Sequence, residues 1–308
     1  MASEFSASLL AAAGIPPHGQ VNTSAVMSTP ASGSASIRAW DCAAWWLPHN
    51  ETCNAVARHY VRETFNELGL ARTLVDDCLT MLSELVTNAF VHGLGGKSLD
   101  ERHAPSSGRC ELWLYRRGQA PHTELVCKVF DPQSDWPIPK PPAHDVLDLL
   151  PELELSATPS MEALDAILPG LQDGARGLDL VRTLSHGRTG FHRTRSRLGQ
   201  WPVPGKVAWF SLPIPGPSQL TEPPRVEVTA PQASQQLKEQ LLVRGIDTIR
   251  NAERDHAVLS VRRGLTVWCH DNAFRWHVDG TSVRRPYAEI TDVTETIVAL
   301  HEDLRHAE

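Results

Sequence analysis

The chain reads as a mixed helix-and-strand (α/β) protein in two parts. Three observations predict this. Apolar residues recur at helical spacing in two stretches between residues 50 and 90, and residues 110–131 then carry strand-like apolar runs. Pro213 to Pro224 has five prolines in twelve residues, the composition of a stiff linker. Beyond it, residues 225–308 again combine helical and strand-like runs, as a small α+β module would.

In order along the chain, residues 1–35 are rich in Ala, Ser, Gly and Pro without periodicity, which predicts a disordered tail. Ile37 to Leu47 is apolar and aromatic and reads as a strand. Asn50 is placed to cap a helix whose stripe is Val56, Ala57, Tyr60, Val61, Phe65 and Leu68, with Gly69 stopping it. The next helix carries Val75, Cys78, Leu79, Leu82, Leu85, Val86 and Ala89 on one stripe. At about 100° per residue, Glu84 and Asn88 fall opposite it. Gly93, Gly95 and Gly96 open a loop that runs to Gly108, and strands follow at Cys110 to Arg116 and Glu124 to Asp131.

Residues 132–173 hold eight prolines and eight acidic residues against one cation, Lys140. So long a connection reads as a functional lid or insert, with a short helix over Met161 to Leu168. Gly177 to Leu184 reads as a helix behind a glycine turn, and Lys206 to Leu212 as the strand closing a first domain at 36–213. After the linker at 214–224, the module at 225–308 has helices at Pro231 to Val243 and Thr291 to Arg305. Between them, Leu265 to Cys269 and Ala273 to Val278 form a hairpin around Asp271-Asn272. Trp268 and Trp276 flank that turn and are expected to pack across strands.

Composition narrows the function. A net charge of −7 and a pI near 6.1, with no Lys/Arg-rich run, argue against direct nucleic-acid binding. Arg262-Arg263 and Arg284-Arg285 have acids nearby in sequence and read as solvated charge. Leu9 to Ala13 follows Glu4 and lacks a cationic lead-in, so it makes a poor signal peptide, and no run approaches a membrane span. The six cysteines form no CxxC pair and read as buried small hydrophobes of a cytoplasmic protein. The fourteen histidines show no metal-ligand spacing.

Four pieces carry chemistry. Glu84 and Asn88 stand one turn apart, roughly 6 Å on one helix face. The Asn88 carboxamide oxygen is a hard ligand suited to magnesium, which is usually held by few protein groups plus substrate phosphates. Glu84 is placed to polarise a hydroxyl or water. Asp131 ends an apolar strand, where a carboxylate can accept from an exocyclic amine. Gly174-Ala175-Arg176-Gly177 opens a helix, where backbone N–H groups and Arg176 favour phosphate. Taken singly, these are a solvated helix face, a turn aspartate before Pro132, and a plain glycine turn.

Their order changes the reading. SELVTNAFVHG, VFDP, GARGLDLV and GKVAWFSL, in that sequence, resemble the GHKL (Bergerat) ATP-binding domain, and within it the anti-sigma-factor serine/threonine kinase branch. ARHYVRETFNELGL upstream is similar to the helix that begins such domains in actinobacterial regulators. The resemblance covers about residues 37–213 and does not extend to the C-terminal module. It implies an α/β sandwich with a mixed sheet backing helices, and a nucleotide held under a lid. It assigns Glu84 as general base, Asn88 as magnesium ligand, Asp131 as reader of adenine, and Gly174, Arg176 and Gly177 as triphosphate contacts. The cofactors implied are ATP and magnesium. The partner implied is a sigma factor or an antagonist-like protein, whose serine would receive the γ-phosphate. Related proteins often dimerise through the first strand and helix, where Trp45 and Trp46 would serve. The chain departs from the family's Asp-x-Gly-x-Gly box: Asp131-Pro132-Gln133-Ser134-Asp135 has no glycine. That departure and the acidic lid favour the alternative, a catalytically silent, nucleotide-gated protein-binding regulator.

Overall fold

The structure, a computed structural model, describes residues 42–93, 108–118, 122–133, 173–198, 201–214 and 228–307. The tail expected at 1–35, the Met161–Leu168 helix and most of the lid and linker lie outside the described residues.

The first domain has strands β1 (Cys42–Trp46), β2 (Glu111–Arg117), β3 (Glu124–Asp131), β4 (Thr189–Arg195) and β5 (Pro204–Pro213). They form one sheet in the order β1-β2-β3-β5-β4, antiparallel at every junction. The sheet is therefore not the mixed one that the resemblance implied. Strands β2 and β3 are consecutive and antiparallel, as are β4 and β5, and β5 enters between β3 and β4, so each neighbour runs opposite. Alternation sends Leu112, Leu114, Cys127 and Val129 to one face, the front. Trp113, Tyr115, Val126 and Phe130 go to the back.

Helices α1 (Cys53–Glu67), α2 (Arg72–Asn88) and α3 (Asp173–Leu184) belong to the front. Val61, Phe65, Cys78, Leu82 and Leu85 are at most 1% exposed there, and each fully buried aliphatic or aromatic side chain contributes about 1.5–3 kcal/mol. Asn50 sits two residues before the position expected of it. Its Oδ1 accepts from Thr52 N (2.9 Å) and Thr52 Oγ1 (2.6 Å), while Thr52 itself is the N-cap. The turn before the helix is thus held by Asn50. Helix α3 also begins earlier than expected, at Asp173, so Gly174 and Gly177 lie inside its first turns. A π-helical turn, Ala89–Gly93, continues α2.

The second domain is α4 (Ala230–Val243), a five-stranded meander and α5 (Ile290–Ala307). Its strands are β6 (Ile249–Ala252), β7 (Ala257–Arg262), β8 (Leu265–His270), β9 (Ala273–Val278) and β10 (Thr281–Pro286). Asp271 and Asn272 turn the expected hairpin with φ of 50° and 55°, the twist that two-residue hairpins require. Thr229 and Gln232 cap α4 reciprocally. Trp276 is core, while Trp268 is 38% exposed and meets His277 edge-on across the strands.

The two domains touch through α5, which lies on the back of the first sheet against β2 and β4. Among the described residues no helix is long and apolar enough to cross a membrane.

Candidate functional site

The front end of the sheet gathers the sequence-predicted residues. Helix α2 carries Glu84 and Asn88, both half-buried rather than fully solvated. Arg58 of α1 fixes this face by donating to Leu79 O (3.0 Å) and Ser83 Oγ (2.8 Å). Among the described residues, neither the Glu84 carboxylate nor the Asn88 amide has a hydrogen-bond partner. Helix α3 packs across α2 at Gly177. A Cβ at position 177 would overlap Glu84 Oε2 and lie 3.2 Å from the carboxyl carbon. The start of α3, with its orphan N–H groups and positive dipole end, is therefore held within about a turn of the Glu84 carboxylate. Gly174 and Arg176 share that helix start.

Asp131 closes β3 on the same face of the sheet as Cys127 and Val129. It is 4% exposed, and burial raises its pKa above the ordinary aspartate value against the pull of Gln133 N–H and Lys206. One oxygen accepts from Gln133 N (2.9 Å), the turn predicted for an aspartate before Pro132. The other pairs with Lys206 Nζ at 3.2 Å. An ionised carboxylate has about four lone-pair sites, so both contacts leave acceptor capacity. Sequence reasoning missed Lys206, which stands directly across from Asp131 in the β3–β5 register. It also missed Gly205, where a Cβ would overlap Asp131 O and lie 2.6 Å from the Phe130 ring. The signal for both was the Gly205-Lys206 pair opening a strand, which only the register could assign to Asp131.

The arrangement thus offers a carboxylate and a carboxamide one turn apart, unpartnered among the described residues, a helix start against them, and a buried carboxylate at the sheet's end. A scan against models of known protein families returns no match, and a search of curated proteins returns none.

Proposed function

We propose that the first domain binds ATP with magnesium and acts as a serine/threonine kinase of the anti-sigma type in transcription control. The observation that carries this reading is the seating of the α3 start on Glu84, with Glu84 and Asn88, unpartnered among the described residues, beside it. Asn88 Oδ1 would hold the ion, with waters and phosphate oxygens completing its shell, as suits a site with one protein oxygen. Magnesium would supply neutralisation of charge on the transferred phosphoryl group. The α3 amides, Gly174, Gly177 and Arg176 would cradle the phosphates, and Asp131 would accept from the adenine amine. Glu84 would take the proton of a partner's serine as its oxygen bonds to the γ-phosphorus and ADP leaves. The partner would be an antagonist-like protein or a sigma factor.

One observation favours a second reading, a nucleotide-gated regulator without turnover. An adenine amine sharing the Asp131 carboxylate would weaken its pair with Lys206, and a shift of that pair at the end of the sheet alone is enough for gating.

Calorimetric titration with ATP, with and without magnesium, tests both. Magnesium-dependent binding is expected, weakened more than about tenfold in Asn88→Ala and Asp131→Ala. An absence of binding by the folded wild-type chain would sink both readings. Phosphate transfer to a partner's serine then separates them: under the kinase reading the wild type transfers it and Glu84→Gln binds ATP without transfer, whereas under the gating reading neither transfers.

A further inference from the structure

The back of the first sheet holds a second polar centre, distant in role from the candidate nucleotide site. Glu295 of α5 is 1% exposed and pairs with Arg244, with Arg197 (3.1 Å) and with Lys128 (3.5 Å). The guanidinium carbons of Arg197 and Arg244 stand 5.6 and 4.9 Å from the Trp113 ring centre. These two arginines, with Gln240 and Val243, line a cleft at the junction of the domains. It measures about 240 Å³ counting its open mouth, and its inner part has room for about one water-sized group.

Charge and hydrogen bonding are unbalanced here. Guanidinium groups do not shed their charge in proteins, and Glu295 offsets only one of the two. The other buried acid, Glu111, turns its oxygens to Trp113 Nε1 (2.7 Å) and to the backbone N–H groups of Arg197 (2.9 Å) and Leu198 (3.1 Å). Arg244, 2% exposed, has its Nε buried without a hydrogen-bond partner. Thr294 Oγ1 donates its one proton to Ile290 O (2.8 Å) and lies 2.7 Å from the Gln240 amide, whose nitrogen can donate one hydrogen to it and keep the second for the cleft. A buried cation with an orphan donor costs several kcal/mol unless it is paired.

We propose that this cleft binds a small oxyanion, a carboxylate or phosphoryl group, between Arg197, Arg244 and Gln240. Arg197 already gives Nε and Nη2 to Glu295, and Arg244 gives Nη1 to Glu295 and Nη2 to Thr194 Oγ1 and Arg195 O, so the anion would take the N–H groups that remain. The narrow inner space admits one of its oxygens while the rest of the ligand stays in the mouth. The bound anion would join the end of α4 to the segment after β4, so occupancy would strengthen the docking of the second domain on the first. The proposal does not depend on the nucleotide site.

The test is calorimetric titration of the full chain with inorganic phosphate at constant ionic strength. Binding is expected in the wild type, at least about tenfold weaker in Gln240→Leu and lost in Arg197→Gln. Arg176→Gln, at the α3 start, is expected to leave this phosphate binding unchanged, which separates the cleft from a phosphate bound at α3. Phosphate binding that is absent from the wild type, or that survives in Arg197→Gln, overturns the proposal. So does binding lost in Arg176→Gln alone. If Arg197→Gln fails to fold, the half-exposed Gln240 carries the test, and unchanged binding in Gln240→Leu is the overturning result.

Discussion

Gly177 shows how one missing methyl group decides what a carboxylate can meet. Its α-carbon occupies the space next to Glu84 Oε2, which no other residue type leaves open. Gly177→Ala must push the flexible end of Glu84 aside, a small cost that the roughly 1 kcal/mol gain of alanine over glycine inside a helix offsets. We therefore expect stability within about 1 kcal/mol of the wild type in chemical denaturation, with loss of the magnesium-dependent ATP binding proposed for the α3 start. A variant with wild-type affinity would show that the close approach has no role. Glu84, Asn88 and Asp131 were legible in the sequence because helical period and strand alternation fix the face each residue takes. Lys206 was not legible, because its closeness to Asp131 is a matter of strand register.

Strand β4 was absent from the sequence reading for a physical reason. Thr-Gly-Phe-His-Arg-Thr-Arg carries no apolar alternation, since its back face turns His192 and Thr194 to Lys128 and Arg244 rather than to a hydrophobic core, while Arg193 and Arg195 pair with Asp303 and Glu302 of α5. His192, on that face, has Nδ1 against Arg193 O (2.9 Å) and Nε2 against Lys128 Nζ (3.1 Å). A carbonyl only accepts, so Nδ1 carries the proton and Nε2 accepts from the lysine. Burial, and then the Lys128 charge, push this imidazole down to about 3. On β2, burial pushes Glu111 up to about 7 despite its three donors. Between pH 5 and 6.5 the unfolded chain binds a proton at His192 that the folded chain refuses, so this group makes stability fall as pH falls. Glu111 keeps a proton in the folded chain that the unfolded chain has released, so it makes stability fall as pH rises. Each effect is about 1.4 kcal/mol per pH unit, and they oppose. Relative to the wild type, stability measured by denaturant should drop by about 2 kcal/mol from pH 5 to 6.5 in His192→Gln. It should rise by a similar amount in Glu111→Gln. Three parallel pH profiles would refute the assignment.

At the scale of the molecule, the two domains are joined by an acidic stripe on α5 set against cations of the first sheet. Besides Glu295, Asp292 accepts from Tyr115 Oη (3.1 Å) and lies 3.6 Å from Arg117. Glu302 accepts from Arg195 Nε at 2.6 Å. Glu295 is held well below the ordinary carboxylate range by Arg244, Lys128 and Arg197, which outweigh its burial. Replacing it by glutamine leaves those cations facing a neutral amide, at a cost of about 3–5 kcal/mol. We expect Glu295→Gln to lower the denaturation midpoint accordingly, and to open the domain junction to proteolysis between β5 and α4. A stability within about 0.5 kcal/mol of the wild type, the usual range of surface substitutions, would mean that the domains do not depend on this charge.

The sequence by itself determined the helices of both domains, the hairpin at Asp271-Asn272, four of the first domain's strands, and the faces on which Glu84, Asn88 and Asp131 lie. These rest on period, turn chemistry and short-range spacing, which act within a few residues of the chain. The tertiary structure alone decided the antiparallel sheet order, the Asp131–Lys206 pair, the seat of α3 on Glu84 and the docking of α5. Each joins residues distant along the chain, and a charged residue reads as solvated until folding brings its buried partner to it.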